Sequence, residues 1–363
     1  MLSEIAELPP SLSFNPELAK AFAGRMMDAL NDAALVLMTS VGHRTRLFDT
    51  FAGATPCTSA HLAAQSGLAE RYVREWLTVM VTAGVVDYDP AARLYSFPAE
   101  HAALLTRGMP KNLAVLSQFI TVFAQVEDDM IHCFETGHGL HYHDYGRFHD
   151  VMAEQTGQSL VANLVEHILP LVPGLIARLE GGIDVLDVGC GGGRALLRLA
   201  RHFPNSRFTG IDLCADAFAP ALRQAKEEGL ENLTFREQDV TGVATFGAFD
   251  LILAFDAVHD QKDPQALLTA IRSTLRDDGA LLMVEIGGSG RLETDRSNPL
   301  GPFLYAISTM HCTPVSLGQG GEGLGTMWGI DLAQQMLTRA GFADATLFRL
   351  PHDPINAYFV ARA

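Results

Sequence analysis

Two hydrophobic rhythms divide the chain. Over roughly its first half, apolar residues recur at spacings of three and four, the period of helices buried along one side. Residues 16–40 carry Leu18, Phe22, Met26, Leu30, Ala34 and Leu37 in that spacing, which predicts a packed helix. Shorter helices follow at 44–52, 58–64 and 70–83. The last has Val73, Trp76, Leu77, Met80 and Val81 facing inward and Gly84 as its stop. Apolar 85–88 and 94–97 flank Pro90 and predict a small β-wing, so residues 1–108 form a winged helix-turn-helix domain. Residues 109–180 predict connecting helices at 114–134 and 148–179, with a polar, aromatic loop at 137–146 between them.

From 181 the rhythm changes. Short apolar runs near 183–188, 207–212, 233–236, 250–255, 280–286, 345–350 and 356–361 alternate with helical patterns at 194–203, 215–228, 264–277 and 331–341. That alternation predicts an α/β domain over 181–363, a doubly wound and mostly parallel sheet with an antiparallel end pair. Residues 287–329 break the alternation. They follow a strand's carboxyl end, on the side where such sheets bind ligands, and read as a lid.

The first strand of this domain runs straight into Gly189, Gly191 and Gly193, and a helix follows. Glycines at such a turn let the backbone approach a ligand and adopt dihedrals other residues avoid. A nicotinamide fingerprint needs glycine at 194, where Arg stands, and a phosphate loop needs a following Lys-Ser/Thr, which is missing. Asp212 ends the next strand, a position suited to ribose hydroxyls. In order, Asp187-Val-Gly-Cys-Gly-Gly-Gly193, Asp212, Gln238-Asp239-Val240 and 249–255 resemble class I S-adenosylmethionine (SAM)-dependent methyltransferases over about Gly181 to Ala363. The resemblance implies SAM as cofactor and a Rossmann-like sheet. It places the glycine turn under the methionine part, Asp212 on the ribose and Asp239 near the adenine amine. Asp187 orders the turn or meets the amino group, and Leu213, Val240 and Phe255 join the cofactor wall.

Charge narrows the partners. The net charge is −16, which argues against nucleic acid and anionic membranes. From Val41 to Arg107, six basic residues (Arg44, Arg46, Arg71, Arg74, Arg93, Arg107) balance six acidic ones (Asp49, Glu70, Glu75, Asp87, Asp89, Glu100), leaving no basic face for phosphates. The element resembles the N-terminal domain of plant and bacterial small-molecule O-methyltransferases, which implies a homodimer. Five scattered cysteines without Cys-x-x-Cys read as reduced thiols, and the first residues lack a basic leader, so the expected location is cytoplasmic.

Methyl transfer to a protic acceptor needs a base. His259, in Phe255-Asp-Ala-Val-His-Asp260, follows the fourth strand of the sheet and matches the His-Asp pair of the O-methyltransferases, although Gln261 replaces a frequent tryptophan. His311, inside the 287–329 insertion, faces it across the expected pocket. Tyr142, Tyr145, Tyr305, Met310 and Trp328 are the expected substrate wall, and the glycine-rich run 318–329 a flexible cover. Two alternatives stay open. Asp256, His259 and His311 form a two-histidine, one-carboxylate set of the kind used for open metal centres, and resemble methyltransferases that act on the β-carbon of 2-oxo acids with a divalent or ferric ion. The segments around His311 and Trp328 also resemble bacterial winged-helix methyltransferases described as transcriptional regulators, so a SAM-responsive regulator is the other reading.

Overall fold

The computed structural model describes residues 14–109, 111–240 and 247–362; the amino-terminal leader reading falls outside them. The chain divides into two compact units, Met1–Ile120 and Thr121–Ala363. The expected connecting segment 109–180 therefore contributes to both.

In the first unit, α1 (Pro16–Arg44) starts at Asn15, whose side chain accepts from the Glu17 and Leu18 amides, and has Pro16 at its first turn. Helices α2 (Leu47–Phe51), α3 (Ser59–Ser66) and α4 (Glu70–Thr82) close a core around Phe48, Phe51, Trp76 and Leu77. The wing pairs β1 (Asp87–Asp89) with β2 (Leu94–Ser96). Only the carboxyl end of α1 is packed: Trp76 donates to the Met38 carbonyl at 2.9 Å, and a side chain at Gly42 would strike the Trp76 and Phe48 rings. The rest departs from the packed helix expected from its spacing. Leu18 is 68% exposed and Phe22 61%, and Met26, Leu30 and Leu37 are exposed with them.

The second unit is built on a seven-stranded sheet: β3 (Asp184–Val188), β4 (Arg207–Asp212), β5 (Leu233–Glu237), β6 (Phe249–Phe255), β7 (Leu275–Ile286), β8 (Asp344–Leu350) and β9 (Asp353–Arg362). Its order is β5-β4-β3-β6-β7-β9-β8, with β9 antiparallel to both neighbours and the other pairs parallel. Alternate residues feed two cores. Val185, Leu251, Leu253, Leu282 and Val284 face one layer, and Leu186, Val188, Ile252, Ala254, Leu281 and Met283 the other. Burial on both faces is why the central strands are nearly continuous apolar runs. The order reverses at β3, between β4 and β6, which opens a crevice at the strands' carboxyl ends.

Before the sheet, the expected long helix 114–134 is broken into Ser117–Phe123 and Glu127–Thr136, joined by a 3₁₀ turn. The helix Phe148–Ser159 lies over the glycine turn, where a side chain at Gly192 would touch the Ala153 methyl at 3.0 Å and Arg194 donates to the Ala153 carbonyl. Among the described residues no single helix is long and apolar enough to cross a membrane.

Candidate active site

The crevice has two walls. On the β3–β4 side, Gly189, Gly191 and Gly193 all take positive φ. A side chain at Gly193 would also meet the Phe235 ring at 2.6 Å, and one at Gly189 the Ala257 methyl at 2.7 Å, whereas Gly191 faces open space. The turn is fastened to β4: Ile211 O accepts from the Gly189 and Cys190 amides, and Asp212 accepts from the Gly191 amide at 2.8 Å and the Cys214 amide at 2.9 Å. Asp212 thus orders the turn while remaining partly exposed at the crevice. Asp187 is buried under it. Burial, and then the Asp212 charge, push its carboxyl up to about 7. Asp212 is also raised by burial, with the Cys214 and Gly191 amides pulling the other way. Val240 packs into a core, and Leu213 and Phe255 are half-buried at their strand ends.

The β6–β7 wall carries a second, larger set of titratable groups. Asp256 follows β6 with φ +54, a left-handed turn aspartate tolerates, and its amide donates to Val284 O at 2.7 Å. The chain then doubles back so that His259, 1% exposed, lies against β7. Its Nδ1 is 2.5 Å from Glu285 Oε2, and its Nε2 makes an ion-pair contact of 3.1 Å with Asp260 Oδ1. Glu285 also accepts from the Val258 amide at 3.0 Å and from the Trp328 indole at 3.3 Å. Burial alone would lower the His259 pKa, but Asp260 and Glu285 outweigh it and hold the ring well above its usual value. For Asp260 burial acts to raise the pKa, yet the His259 charge wins and brings it to about 2.

His311 enters from above. Residues Ser308–Cys312 form a π-helical turn, the wider winding that often marks functional sites, and it buries the consecutive residues His311 and Cys312 together. The His311 ring stacks on Phe148 (centroids 3.5 Å apart) and meets the edge of Tyr145 at 4.8 Å. Its Nδ1 lies 3.9 Å from Asp260 Oδ2, and neither ring nitrogen has a hydrogen-bond partner. Burial, with His149 and His259 adding to it against Asp260, lowers its pKa to about 4. Burial pushes the neighbouring Cys312 thiol up to about 12.

The expected wall residues separate. Tyr142 donates to Asp260 Oδ2 at 3.3 Å and belongs to the site. Tyr145 frames His311 but commits its hydroxyl to Met310 O at 2.7 Å. Tyr305 bonds Asp295 at 2.9 Å within the insertion. Trp328 is buried and secures Glu285. The glycine-rich run is packed: side chains at Gly321 or Gly325 would collide with Ser316, Ser308 or the Lys262 backbone, and the Gly323 amide donates to Ser316 Oγ. Its glycines serve close approach, which corrects the flexible cover expected from composition.

Asp256, His259 and His311 do not converge as a ligand set. Among the described residues, the groups whose donor atoms come within 4.8 Å of one another are His259–Asp260–Cys312 and Asp256–His259–Glu285. Sequence reading missed Glu285, because an acid inside the apolar strand β7 carries no motif. It also left His149 as a loop residue, whereas His149 interacts with Asp212 electrostatically and rings with Tyr142.

Residues 33–107 match the Rv2258c-like winged HTH domain, and residues 179–314 match a methyltransferase domain. The chain carries a methyltransferase domain of the class I fold. (S)-coclaurine N-methyltransferase of Papaver somniferum is 35% identical over 109 residues, which is 30% of this chain and 31% of that protein. Ubiquinone biosynthesis O-methyltransferase of Cronobacter sakazakii is 34% identical over 32% of this chain and 48% of its own length. The chain thus spans less than half the length of these curated relatives. Human N-acetylserotonin methyltransferase in complex with SAM superposes with a TM-score of 0.66 at 17% identity, over 98% of this chain and 99% of that one, a likeness of fold.

Proposed function

We propose that this protein transfers the methyl group of SAM to an oxygen of a small, partly hydrophobic molecule. The observation that carries the reading is one crevice with two walls: a glycine turn fastened by Asp212, and buried His259, Asp260, Glu285 and His311 opposite. In this reading the glycine turn takes the methionine part of SAM, Asp212 the ribose hydroxyls and Asp239 the adenine amine. Asp187 supports the turn from below, and Leu213, Val240 and Phe255 complete the pocket. SAM supplies an electrophilic methyl group on a sulfonium. The chain's task is alignment of the acceptor for in-line attack and removal of its proton. In this reading Tyr142, whose hydroxyl donates to Asp260, bounds the acceptor together with Met310.

The metal-assisted alternative uses His259 and His311, with Asp256 as a further ligand, and among the described residues the donor atoms of these three do not all come within 4.8 Å of one another. No step is assigned to a metal. The regulator alternative lacks a basic face, since residues 41–107 are charge-balanced.

The reading includes a cytoplasmic homodimer formed through the winged-helix unit. The exposed stripe Leu18, Phe22, Met26 and Leu30 on α1 supports a helix that needs a second chain to cover it, and all five cysteines are unpaired. Sedimentation of wild type and Phe22→Asp tests the dimer; a monomeric wild type rejects it.

For the activity, the protein is incubated with SAM carrying a deuterated methyl group and with panels of phenols, 2-oxo acids and amines. Mass spectrometry then locates the label. Labelled ethers from the phenol panel are expected. Label on the β-carbon of 2-oxo acids, or on nitrogen alone, rejects the oxygen assignment.

A further inference from the structure

We infer that His311 is a second anchor for the acceptor, and that the acceptor therefore carries an oxygen on the ring carbon next to the hydroxyl that is methylated, as a catechol does. The inference rests on the methyl-transfer reading above, with His259 as the base, and names the class of molecule that fills the same crevice.

The first ground is the hydrogen-bonding state of His311. The ring is 1% exposed, and neither nitrogen has a hydrogen-bond partner. Whichever tautomer it adopts, at least one nitrogen carries a hydrogen to donate. Burying such a group unpaired is unfavourable, so a ring kept in this state marks a place where a ligand atom belongs. Packing holds the ring without using its nitrogens. Phe148 stacks on it with centroids 3.5 Å apart and planes 16° from parallel, Tyr145 meets it edge-on at 4.8 Å, and Tyr142 lies 5.6 Å away. The π-helical turn Ser308–Cys312 is what carries the ring inward.

The second ground is spacing. His259 and His311 meet the two oxygens of one carboxylate: His259 Nε2 lies 3.1 Å from Asp260 Oδ1, and His311 Nδ1 lies 3.9 Å from Asp260 Oδ2. Asp260 is 6% exposed, and its Oδ1 is buried without a hydrogen-bond partner, while Oδ2 accepts from Tyr142 at 3.3 Å. His259 donates through Nδ1 to Glu285, which leaves Nε2 as the atom for the hydroxyl proton. An acceptor with a single oxygen, placed at His259, leaves His311 unpaired. A neighbouring oxygen takes the His311 hydrogen, and a neighbouring hydroxyl also gives its own hydrogen to Asp260 Oδ1. Oxygens on adjacent carbons point the same way and can address two rings that meet at one carboxylate. Oxygens in para positions point in opposite directions and cannot.

The step balances as follows. The acceptor oxygen facing His259 attacks the SAM methyl carbon, the carbon–sulfur bond breaks, and sulfur keeps the electron pair to give S-adenosylhomocysteine. The hydroxyl proton passes to His259 Nε2. His311 and Asp260 hold the second oxygen and transfer no proton, so the product is the monomethyl ether of the pair.

The test compares matched acceptors on the full-length protein: catechol, resorcinol, hydroquinone and phenol. The expected kcat/KM is highest for catechol, about 100-fold or more above phenol, with hydroquinone close to phenol. His311→Phe keeps a flat ring and removes both nitrogens, and should lower the catechol-to-phenol ratio by about 30-fold or more, with S-adenosylhomocysteine affinity reporting that the variant is folded. Equal kcat/KM for catechol and phenol in the wild type overturns the inference, and so does a ratio that survives in folded His311→Phe. A calorimetric arm needs no turnover. Catechol titrated into wild-type protein saturated with S-adenosylhomocysteine should bind about 10-fold or more tighter than phenol or hydroquinone, and this comparison stands even if His311→Phe does not fold. Catechol binding no tighter than phenol overturns the inference. The expected binding preference without any acceptor methylated keeps His311 as the anchor and rejects the methyl-transfer reading instead.

Discussion

The two walls of the crevice are built on different principles. The β3–β4 wall is local and backbone-made: three glycines, two amides on Asp212, and a helix start, all within 183–214. The β6–β7 wall is assembled from residues near 142, 149, 260, 285, 311 and 328, joined by side-chain contacts across the sequence. In the proposed reading the first wall takes SAM by shape and backbone dipoles. The second holds a buried charge cluster, whose pKa values are set by neighbours distant in sequence.

The sharpest way to break this contrast is Asp212→Ala. Asp212 both pins the Gly191 amide and faces the expected ribose, so SAM binding should weaken by about 100-fold or more while the fold persists. Calorimetry that finds near-native affinity removes the local wall from the argument. Glu285→Gln should act the other way round. Its charge-assisted contact with buried His259 is lost, and the urea midpoint should fall by the equivalent of about 3 kcal/mol with SAM affinity little changed. A variant as stable as the wild type shows that the cluster is not coupled.

The pH dependence gives a finer test. His311 is lowered in the folded state, to about 4. The unfolded chain then binds this proton first, so the contribution is fully present above the unfolded value near 6.5 and is lost as pH falls towards about 4. The difference amounts to at most about 3 kcal/mol. Asp187 and Asp256, both raised to about 7, act in the opposite sense, so the informative quantity is wild type minus His311→Gln. Urea unfolding at pH 7.5 and 4.5 should show wild type losing more; equal losses refute the assignment to His311. Tyr305→Phe should have the smallest effect, about 1 kcal/mol of stability and no change in SAM binding, because its hydroxyl serves Asp295 within the insertion. A large loss of methyl transfer would bring Tyr305 back into the acceptor wall.

The sequence alone determined the alternating domain, the glycine turn and the order of its acids. These are periodic or contiguous features, and a buried parallel strand must be apolar wherever it sits. It also marked His259 and His311, but only as a pair of possible bases or ligands. Tertiary structure decided the rest. It brought Glu285 from the middle of an apolar strand to His259 Nδ1 and wound 308–312 into a π turn that buries His311. It also packed the 318–329 glycines instead of freeing them, and left the α1 stripe uncovered within the chain. The physical reason is that protonation and hydrogen-bond partnership depend on distances across the fold. A linear pattern records which residues are buried, whereas only the folded chain fixes which charge each of them meets.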